Sequence, residues 1–265
     1  MSDDLPEEHP VAPDTTDASN RKTDVLPEKP ALPKRFYKAV EAPLRDGVHP
    51  LLLDGRPART PARNPLAAPH PAIADVMVSE WQNQDDVIDP ATMPMTRLLN
   101  ANIDGVTLAR DAVVDEIVRY AGSDLLCYRA GFPDRLVERQ AALWDPVLAW
   151  ARDELGARFV LSEGVMFVDQ PLTSIEAVRA AVARQSSPHV IGGLHVLTSL
   201  AGSLLIALAV ASGHMVVEEA WHAAHVDEDV QSEIWGIDEE AKTRRDARFA
   251  EFNAAATLVR ALWEP

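Results

Sequence analysis

The sequence predicts an α+β protein, in which a small antiparallel β-rich domain precedes a mostly α-helical bundle. Two observations carry this prediction. Short strand-like runs separated by turn residues lie between residues 34 and 65, and beyond Pro71 apolar residues recur mainly at steps of three and four. Since 47% of the 265 residues are hydrophobic, the chain can bury a substantial core. We expect a tail at residues 1–33, a β-rich domain at 34–95 and a helical domain at 96–265.

The first 33 residues have a composition of their own. They contain eight acidic residues, three basic residues and six prolines. They lack the basic start and apolar centre of a signal peptide, and they are too acidic for a transit peptide. This composition is typical of a disordered tail. Its acidity favours the bacterial cytoplasm over import into an organelle.

The predicted β-rich domain starts with two pairing strands. Residues 35–40 alternate well enough for a strand, and residues 51–54 are their expected partner. A turn containing a glycine follows at residues 54–56. Thr-Pro at residues 60–61 continues as irregular or edge structure. We therefore interpret residues 34 to 65 as a small antiparallel sheet.

Most of the remaining chain has helical periodicity. Asp104-Gly105 is expected to kink one helix, and Pro146 to bend or break another, because a proline removes one backbone donor. Two apolar runs, at 158–161 and 164–168, predict a second pair of strands instead. The expected helices cover residues 71–84, 98–120, 134–151, 174–185, 189–212, 214–230 and 238–263.

One stretch, residues 190–212, carries no charged side chain and is long enough to cross a bilayer. The same composition is typical of a central helix that its neighbours surround on all sides. The sequence contains one such run, and no basic cluster flanks it, as orientation in a membrane usually needs. We predict a buried bundle helix, with a membrane span as the weaker alternative.

The overall charge narrows the choice of partner. The net charge of −16, from 41 acidic and 25 basic residues, disfavours nucleic acid, because duplex binding depends on Lys and Arg contacts to phosphates. It also disfavours an anionic membrane surface. A basic protein partner fits this charge better. The single cysteine, Cys127, excludes an intrachain disulfide, which suits a reducing compartment, and its apolar neighbours predict a buried structural thiol.

The strongest local feature is the acidic segment, residues 218–240. It contains nine carboxylates and no Lys or Arg, together with Trp221 and Trp235. Since like charges repel one another, this density requires an explanation. A surface that binds another protein is one interpretation, and a solvated acidic helix face is the other. Trp235 has two interpretations as well, because the following Gly236 can end a helix beside a structural indole or beside an exposed aromatic anchor.

A metal site is the main catalytic alternative. His222 and His225 lie three residues apart on one helical face and Asp227 follows, so a small metal-dependent hydrolase could use these three ligands. The helical zinc signature, however, places its histidines four apart with a glutamate beside the first. The sequence contains no nucleophile elbow, Walker loop or dinucleotide fingerprint. We therefore expect no enzyme, no metal and no cofactor.

Seven short motifs, taken in order, resemble one known family. They are RFYK at residues 35–38, LDGR at 53–56 with Thr60-Pro61, EWxxQ at 80–84, MPMT at 93–96, DLLCY at 124–128, Gln140 with WDP at 144–146, and DExxQxExWG at 227–236. The set is similar to the assembly chaperones of the F-type ATP synthase that bind the alpha subunit. The resemblance covers roughly residues 34 to 262. It implies an N-terminal β-rich part and a C-terminal helical bundle, which agrees with the periodicity.

The resemblance implies an ATP-independent chaperone rather than an enzyme. Such a protein binds the unassembled ATP synthase alpha subunit, shields its exposed interface and hands it over for assembly of the catalytic hexamer. The family's functional acidic position falls four residues after the glycine of the Trp-Gly pair, which is Glu240 here. With Glu239, Trp235, Asp227 and Glu233 it forms the predicted partner-binding set. We expect a monomer in the bacterial cytoplasm, the counterpart of the mitochondrial matrix.

Overall fold

The computed structural model describes residues 31–236 and 238–265. The tail predicted at residues 1–33 therefore lies outside the described residues, except for its last three positions. Residues 33–265 belong to one unit, in which the β-rich segment and the helices contribute to the same hydrophobic core. The domain boundary expected at residue 95 lies inside this unit and stays a prediction.

Five short strands form the β-rich segment, and each pairing among them is antiparallel. The pairs are β1 (Val40–Glu41) with β3 (Leu52–Leu53), β3 with β4 (Arg56–Pro57), and β2 (His49–Pro50) with β5 (Ala67–Ala68). Asp54 and Gly55 turn the chain between β3 and β4 with φ of 49° and 77°, as a two-residue hairpin loop requires. The structure confirms the antiparallel sheet and its turn, although the first strand begins only at Val40.

Helices dominate the rest of the described chain. They are α1 (Pro71–Gln82), α2 (Pro94–Ala101), α3 (Thr107–Arg119), α4 (Asp134–Glu154), α5 (Leu172–Ala183), α6 (Pro188–Ala201), α7 (Leu204–Ala211), α8 (Val217–Ala224), α9 (Val226–Trp235) and α10 (Glu239–Leu262). Two further strands are β6 (Tyr128–Arg129) and β7 (Ser162–Glu163). The centre of the bundle is α6, which packs against α3, α7 and α10.

The kink expected near residue 104 is a π-helical turn. This turn, Asn102–Val106, separates α2 from α3. Within it the Asp104 carboxylate accepts hydrogen bonds from the Thr60 hydroxyl (2.6 Å) and from Asn64 Nδ2 (2.8 Å). Asp104 thereby ties the β-rich segment to the helices, which gives the Thr60-Pro61 motif a structural role.

The apolar run is buried, but it forms two helices rather than the single helix predicted. Gly202 adopts the left-handed conformation, with φ of 65°, and ends α6. The Ser203 hydroxyl then accepts a hydrogen bond from the Ile206 N–H group (3.1 Å) and caps α7, every residue of which is buried. Within residues 31–236 and 238–265, no helix combines the length and the hydropathy needed to cross a membrane.

The strand pair predicted at residues 158–168 is wrong. Side chains satisfy the backbone there in place of a partner strand: Gln170 exchanges hydrogen bonds with the N–H (2.8 Å) and carbonyl (2.9 Å) groups of Val160. Ser174 does the same for Arg158. Only Ser162–Glu163 forms a strand, and it pairs in parallel with Tyr128–Arg129.

Cys127 is fully buried, as its apolar neighbours predict. Burial raises the pKa of this thiol to about 12. The side chain therefore stays protonated at neutral pH and lacks the thiolate that reactive cysteines need.

Gly193 permits close packing of α6 against α10. A Cβ atom at this position would overlap Val259 Cγ2 and lie 3.1 Å from Leu258 Cδ2. We expect Gly193→Val to lower the free energy of unfolding by about 1–3 kcal/mol, because a packed interior tolerates added methyl groups poorly. Urea-induced unfolding measures the change. Gly105→Ala is the control, since nothing lies within 4 Å of a Cβ added there; equal losses in both variants would argue against the packing explanation.

Candidate functional site

The acidic segment, residues 218–240, forms α8, α9 and the start of α10. The helix expected at residues 214–230 is broken at His225, where φ and ψ are −124° and 24°. The Trp221 ring lies beside this break, with its centroid 3.8 Å from that of His225. It also lies 5.5 Å from Phe249 and 5.4 Å from Phe252, both in α10. Trp221 therefore anchors the segment to the core.

The two histidines of the metal alternative make separate contacts. His225 is 5% exposed, its Nδ1 lies 2.8 Å from the Trp221 carbonyl oxygen, and burial lowers the pKa of its imidazole. His222 is exposed and contacts Asp229 instead, with Nδ1 2.9 Å from Oδ2. Among the residues that the structure describes, no three histidine, cysteine or carboxylate side chains are grouped so as to hold a metal ion. The geometry does not support the hydrolase alternative.

Glu233 joins α9 to α4. Its carboxylate forms ion pairs with Arg135 and with Arg139, the latter at 2.8 Å. The hydrogen bond from Arg139 holds the pKa of this carboxyl below its usual range. A second contact runs parallel to it, because Gln140 Nε2 donates to Asp227 Oδ1 at 2.9 Å. Two members of the predicted partner-binding set, Glu233 and Asp227, are therefore engaged with α4.

The two predicted site residues of α10 lie in its first turn. Glu239 and Glu240 are both exposed, and Glu240 pairs with Arg244, one turn along the same helix, at 2.5 Å. Asp238 caps the helix by accepting hydrogen bonds from the N–H groups of Glu240 and Ala241. Acidic residues here also suit the positive end of the helix dipole. Both glutamates are accessible to a partner.

Trp235 projects from the end of α9. Its side chain is 85% exposed, and the preceding Ile234 is 56% exposed. Gly236, with φ of 85°, follows directly where α9 ends. The glycine thus stands at the helix end, while the indole is exposed rather than packed. Large exposed aromatic side chains are typical of sites that bind other proteins.

A second group of exposed apolar residues, which no sequence pattern predicted, forms what we call the apolar loop surface. Its members are Phe132, Val165, Met166 and Phe167, which are 84%, 96%, 75% and 67% exposed. Phe132 precedes α4, and the other three lie in the loop that follows β7. The apolar run at residues 164–168 predicts a strand, because a single sequence does not show which apolar residues the tertiary fold leaves uncovered. In the sequence, Gly164 is the signal that favours a turn over a strand at this point. In the structure it starts the turn with a φ of 79°.

Solved structures relate this architecture to chaperones. The Atu1473 protein of Agrobacterium tumefaciens, a candidate chaperone, matches with a TM-score of 0.81 and 49% sequence identity, over 87% of each chain. Atp12 from Paracoccus denitrificans matches with a TM-score of 0.78 and 38% identity, over 87% of this chain and 98% of that chain. The chain belongs to the ATP12 chaperone family. The family model described as ATP12 chaperone protein matches residues 34–152, and a point mutant of P. denitrificans Atp12p matches as the unmutated protein does.

Membership of the ATP12 family confirms the resemblance to the assembly chaperones of the ATP synthase, and it supports a chaperone role in that assembly. Several motif residues of this ATP12-family chain have structural roles. Gln140 accepts a hydrogen bond from the Ala130 N–H group (2.8 Å) while it donates to Asp227. The Trp144 indole donates to the Ala223 carbonyl oxygen at 2.7 Å. These contacts hold the acidic segment against α4.

Proposed function

We propose that this protein is an ATP-independent chaperone that binds the unassembled alpha subunit of the F-type ATP synthase. It shields the exposed interface of that subunit and hands it over for assembly of the catalytic hexamer. The observation that carries the proposal is the exposed Trp235 indole at the end of an acidic helix, in a chain whose solved relatives include Atp12. We further propose that the protein acts as a monomer in the bacterial cytoplasm, without a cofactor.

The proposed contact has an apolar centre and a charged edge. Trp235 supplies the centre, and the exposed carboxylates of Glu239, Glu240 and Asp227 supply the edge. Glu233 holds the edge in place through its ion pairs with α4. Charges at the edge of an interface speed encounter and fix orientation more than they raise affinity. We therefore assign the binding energy mainly to the indole.

A holding chaperone has to release its client when the true assembly partner arrives. Unassembled subunits expose large apolar surfaces, which drive aggregation. Buried area does not by itself set affinity, so a broad contact with few strong anchors can bind at moderate strength. An exposed tryptophan with a charged edge meets both requirements, because it covers an apolar surface without locking it in a deep pocket.

Aggregation of the alpha subunit provides the test. Without nucleotide, we expect the protein to suppress light scattering as purified alpha subunit is diluted from denaturant. Trp235→Ser should raise the concentration needed for half suppression by about tenfold, as expected for loss of one aromatic anchor. Glu240→Lys should slow association, because it reverses a charge at the edge of the contact.

The control for these variants is Asp75→Lys, which reverses an exposed charge on α1. The free energy of unfolding of each variant should stay within about 1 kcal/mol of the wild type, since exposed side chains and exposed ion pairs such as Glu240–Arg244 contribute little to stability. Unfolding of Glu240→Lys would make Glu240 a structural residue. Aggregation of the alpha subunit that is unaffected by the wild-type protein would refute the proposed function.

A further inference from the structure

We propose that the apolar loop surface is a docking surface for an apolar segment of the client that is flanked by arginine or lysine. This inference rests on the proposed function, because it names the part of the protein that holds the client. It adds four residues to the site: Phe132, Val165, Met166 and Phe167. Two structural links and the distribution of charge support it.

The first link holds the loop along β6. Strands β6 and β7 pair in parallel, with Tyr128 opposite Ser162. The Gly164 N–H group then donates to the Arg129 carbonyl oxygen at 2.9 Å. The exposed residues 165–167 follow immediately, so the loop starts from a fixed position against the strand that leads to α4.

The second link brings Phe132 to the same place. The Ser162 hydroxyl donates to the Met166 carbonyl oxygen at 3.1 Å and closes the turn. The Glu163 side chain lies so close to Gly131 that a Cβ atom there would overlap its carboxylate. Phe132 is the next residue in the chain, and it therefore lies beside the loop.

The charges around this surface point to a cationic client segment. The arginines of β6 and of the first turns of α4 are already paired, Arg129 with Asp145 at 2.7 Å and the other two with Glu233. Four exposed carboxylates nearby form no ion pair within the part of the chain that the structure describes. They belong to Asp134, Glu138, Glu163 and Asp169. The resulting excess of negative charge attracts Arg or Lys beside an apolar client segment and repels anionic lipid headgroups.

The test compares two sets of exposed residues in the full chain. In a binding measurement with purified, unassembled alpha subunit, the triple variant Phe132→Ser, Val165→Ser, Phe167→Ser should raise the dissociation constant by about tenfold or more. The control is Leu44→Ser with Leu108→Ser, whose leucines are 68% and 84% exposed elsewhere. It should leave the constant unchanged.

The charge component has its own variant. Glu163→Lys with Asp169→Lys should slow association and make its rate less dependent on salt, because two carboxylates that attract the client are reversed. Each variant is first shown to unfold at the wild-type urea concentration. Association that is as fast and as salt-dependent as in the wild type would overturn the assignment of a cationic client segment.

The outcomes separate this inference from the proposed function. If the wild type binds and the triple variant binds equally well, the docking surface is wrong while the proposed function stands. If the wild type does not bind the alpha subunit, both are wrong. Self-association in gel filtration, or sedimentation with phosphatidylglycerol vesicles, that the triple variant loses would assign the surface to a second copy or to a membrane and overturn the inference.

Discussion

Replacing Asp124 with alanine is expected to lower the free energy of unfolding by about 2–4 kcal/mol at neutral pH, because buried N–H groups lose their acceptor. Asp124 is completely buried. Its Oδ1 accepts from the Leu126 N–H group and its Oδ2 from the Leu205 N–H group, both at 3.2 Å. One carboxyl group thus joins the DLLCY motif to the start of α7. Urea-induced unfolding measures the loss, and a variant as stable as the wild type would contradict this role.

The pH dependence of Asp124 gives a sharper test. Burial raises the pKa of this carboxyl from 3.8 to about 6. The folded protein therefore holds the proton more tightly than the unfolded chain does. The stabilisation is fully present below pH 3.8 and is lost as the pH rises to about 6. At about 1.4 kcal/mol per pH unit, the loss is about 3 kcal/mol.

Asp124→Asn isolates this contribution, because the other titrating groups are common to both proteins. The unfolding free energy of the wild type minus that of the variant, measured at several pH values, should fall by about 3 kcal/mol between about pH 4 and pH 7. A difference that stays constant or rises with pH would show that Asp124 is ionised in the folded protein without a cost.

Replacing Glu80 with alanine is expected to destabilise the protein by about 2–5 kcal/mol, because three donors lose one acceptor group. The Glu80 carboxylate accepts hydrogen bonds from the Met95 N–H (2.6 Å), the Thr96 N–H (2.8 Å) and the Thr96 hydroxyl (2.7 Å). The N-terminal cap of α2, Met93, forms no side-chain capping bond. Glu80 of α1 therefore satisfies the start of α2 from outside that helix.

Two variants control this second prediction. Glu80→Gln keeps the size of the side chain and one acceptor oxygen, so we expect about half the loss that alanine causes. Asp85→Ala removes an exposed carboxylate just after α1 and should leave the unfolding free energy within about 0.5 kcal/mol of the wild type. Losses of similar size from Glu80→Ala and Asp85→Ala would show that Glu80 does not cap α2.

The sequence predicts the helices and the first sheet well where local chemistry decides them. The Asp54-Gly55 turn needs positive φ, which glycine adopts at no steric cost. Prediction failed where a side chain distant in the sequence decides the structure, and where a residue such as glycine is compatible both with the interior and with the end of a helix. The strand expected at residues 158–161 is replaced by hydrogen bonds from Gln170 and Ser174. The single helix expected at residues 189–212 ends at Gly202, because glycine there takes the left-handed conformation that ends helices.

At the candidate site, too, local sequence predicts some features and contacts distant in the sequence decide others. Local sequence identifies the carboxylates and Trp235 but leaves open whether the indole is structural or exposed, and in the structure it is 85% exposed. The partners of Glu233, by contrast, lie 94 and 98 residues away along the chain, a distance at which no local pattern signals a contact. The exposure of Phe132 was likewise beyond a single sequence, because the tertiary fold alone decides which apolar residues are left uncovered.

Gel filtration of the full chain mixed with purified, unassembled ATP synthase alpha subunit, without nucleotide, tests the central claim most directly. We expect a soluble complex that elutes ahead of either protein and contains both. Recovery of the two proteins in separate fractions, with the alpha subunit aggregating as it does alone, would contradict the proposed function.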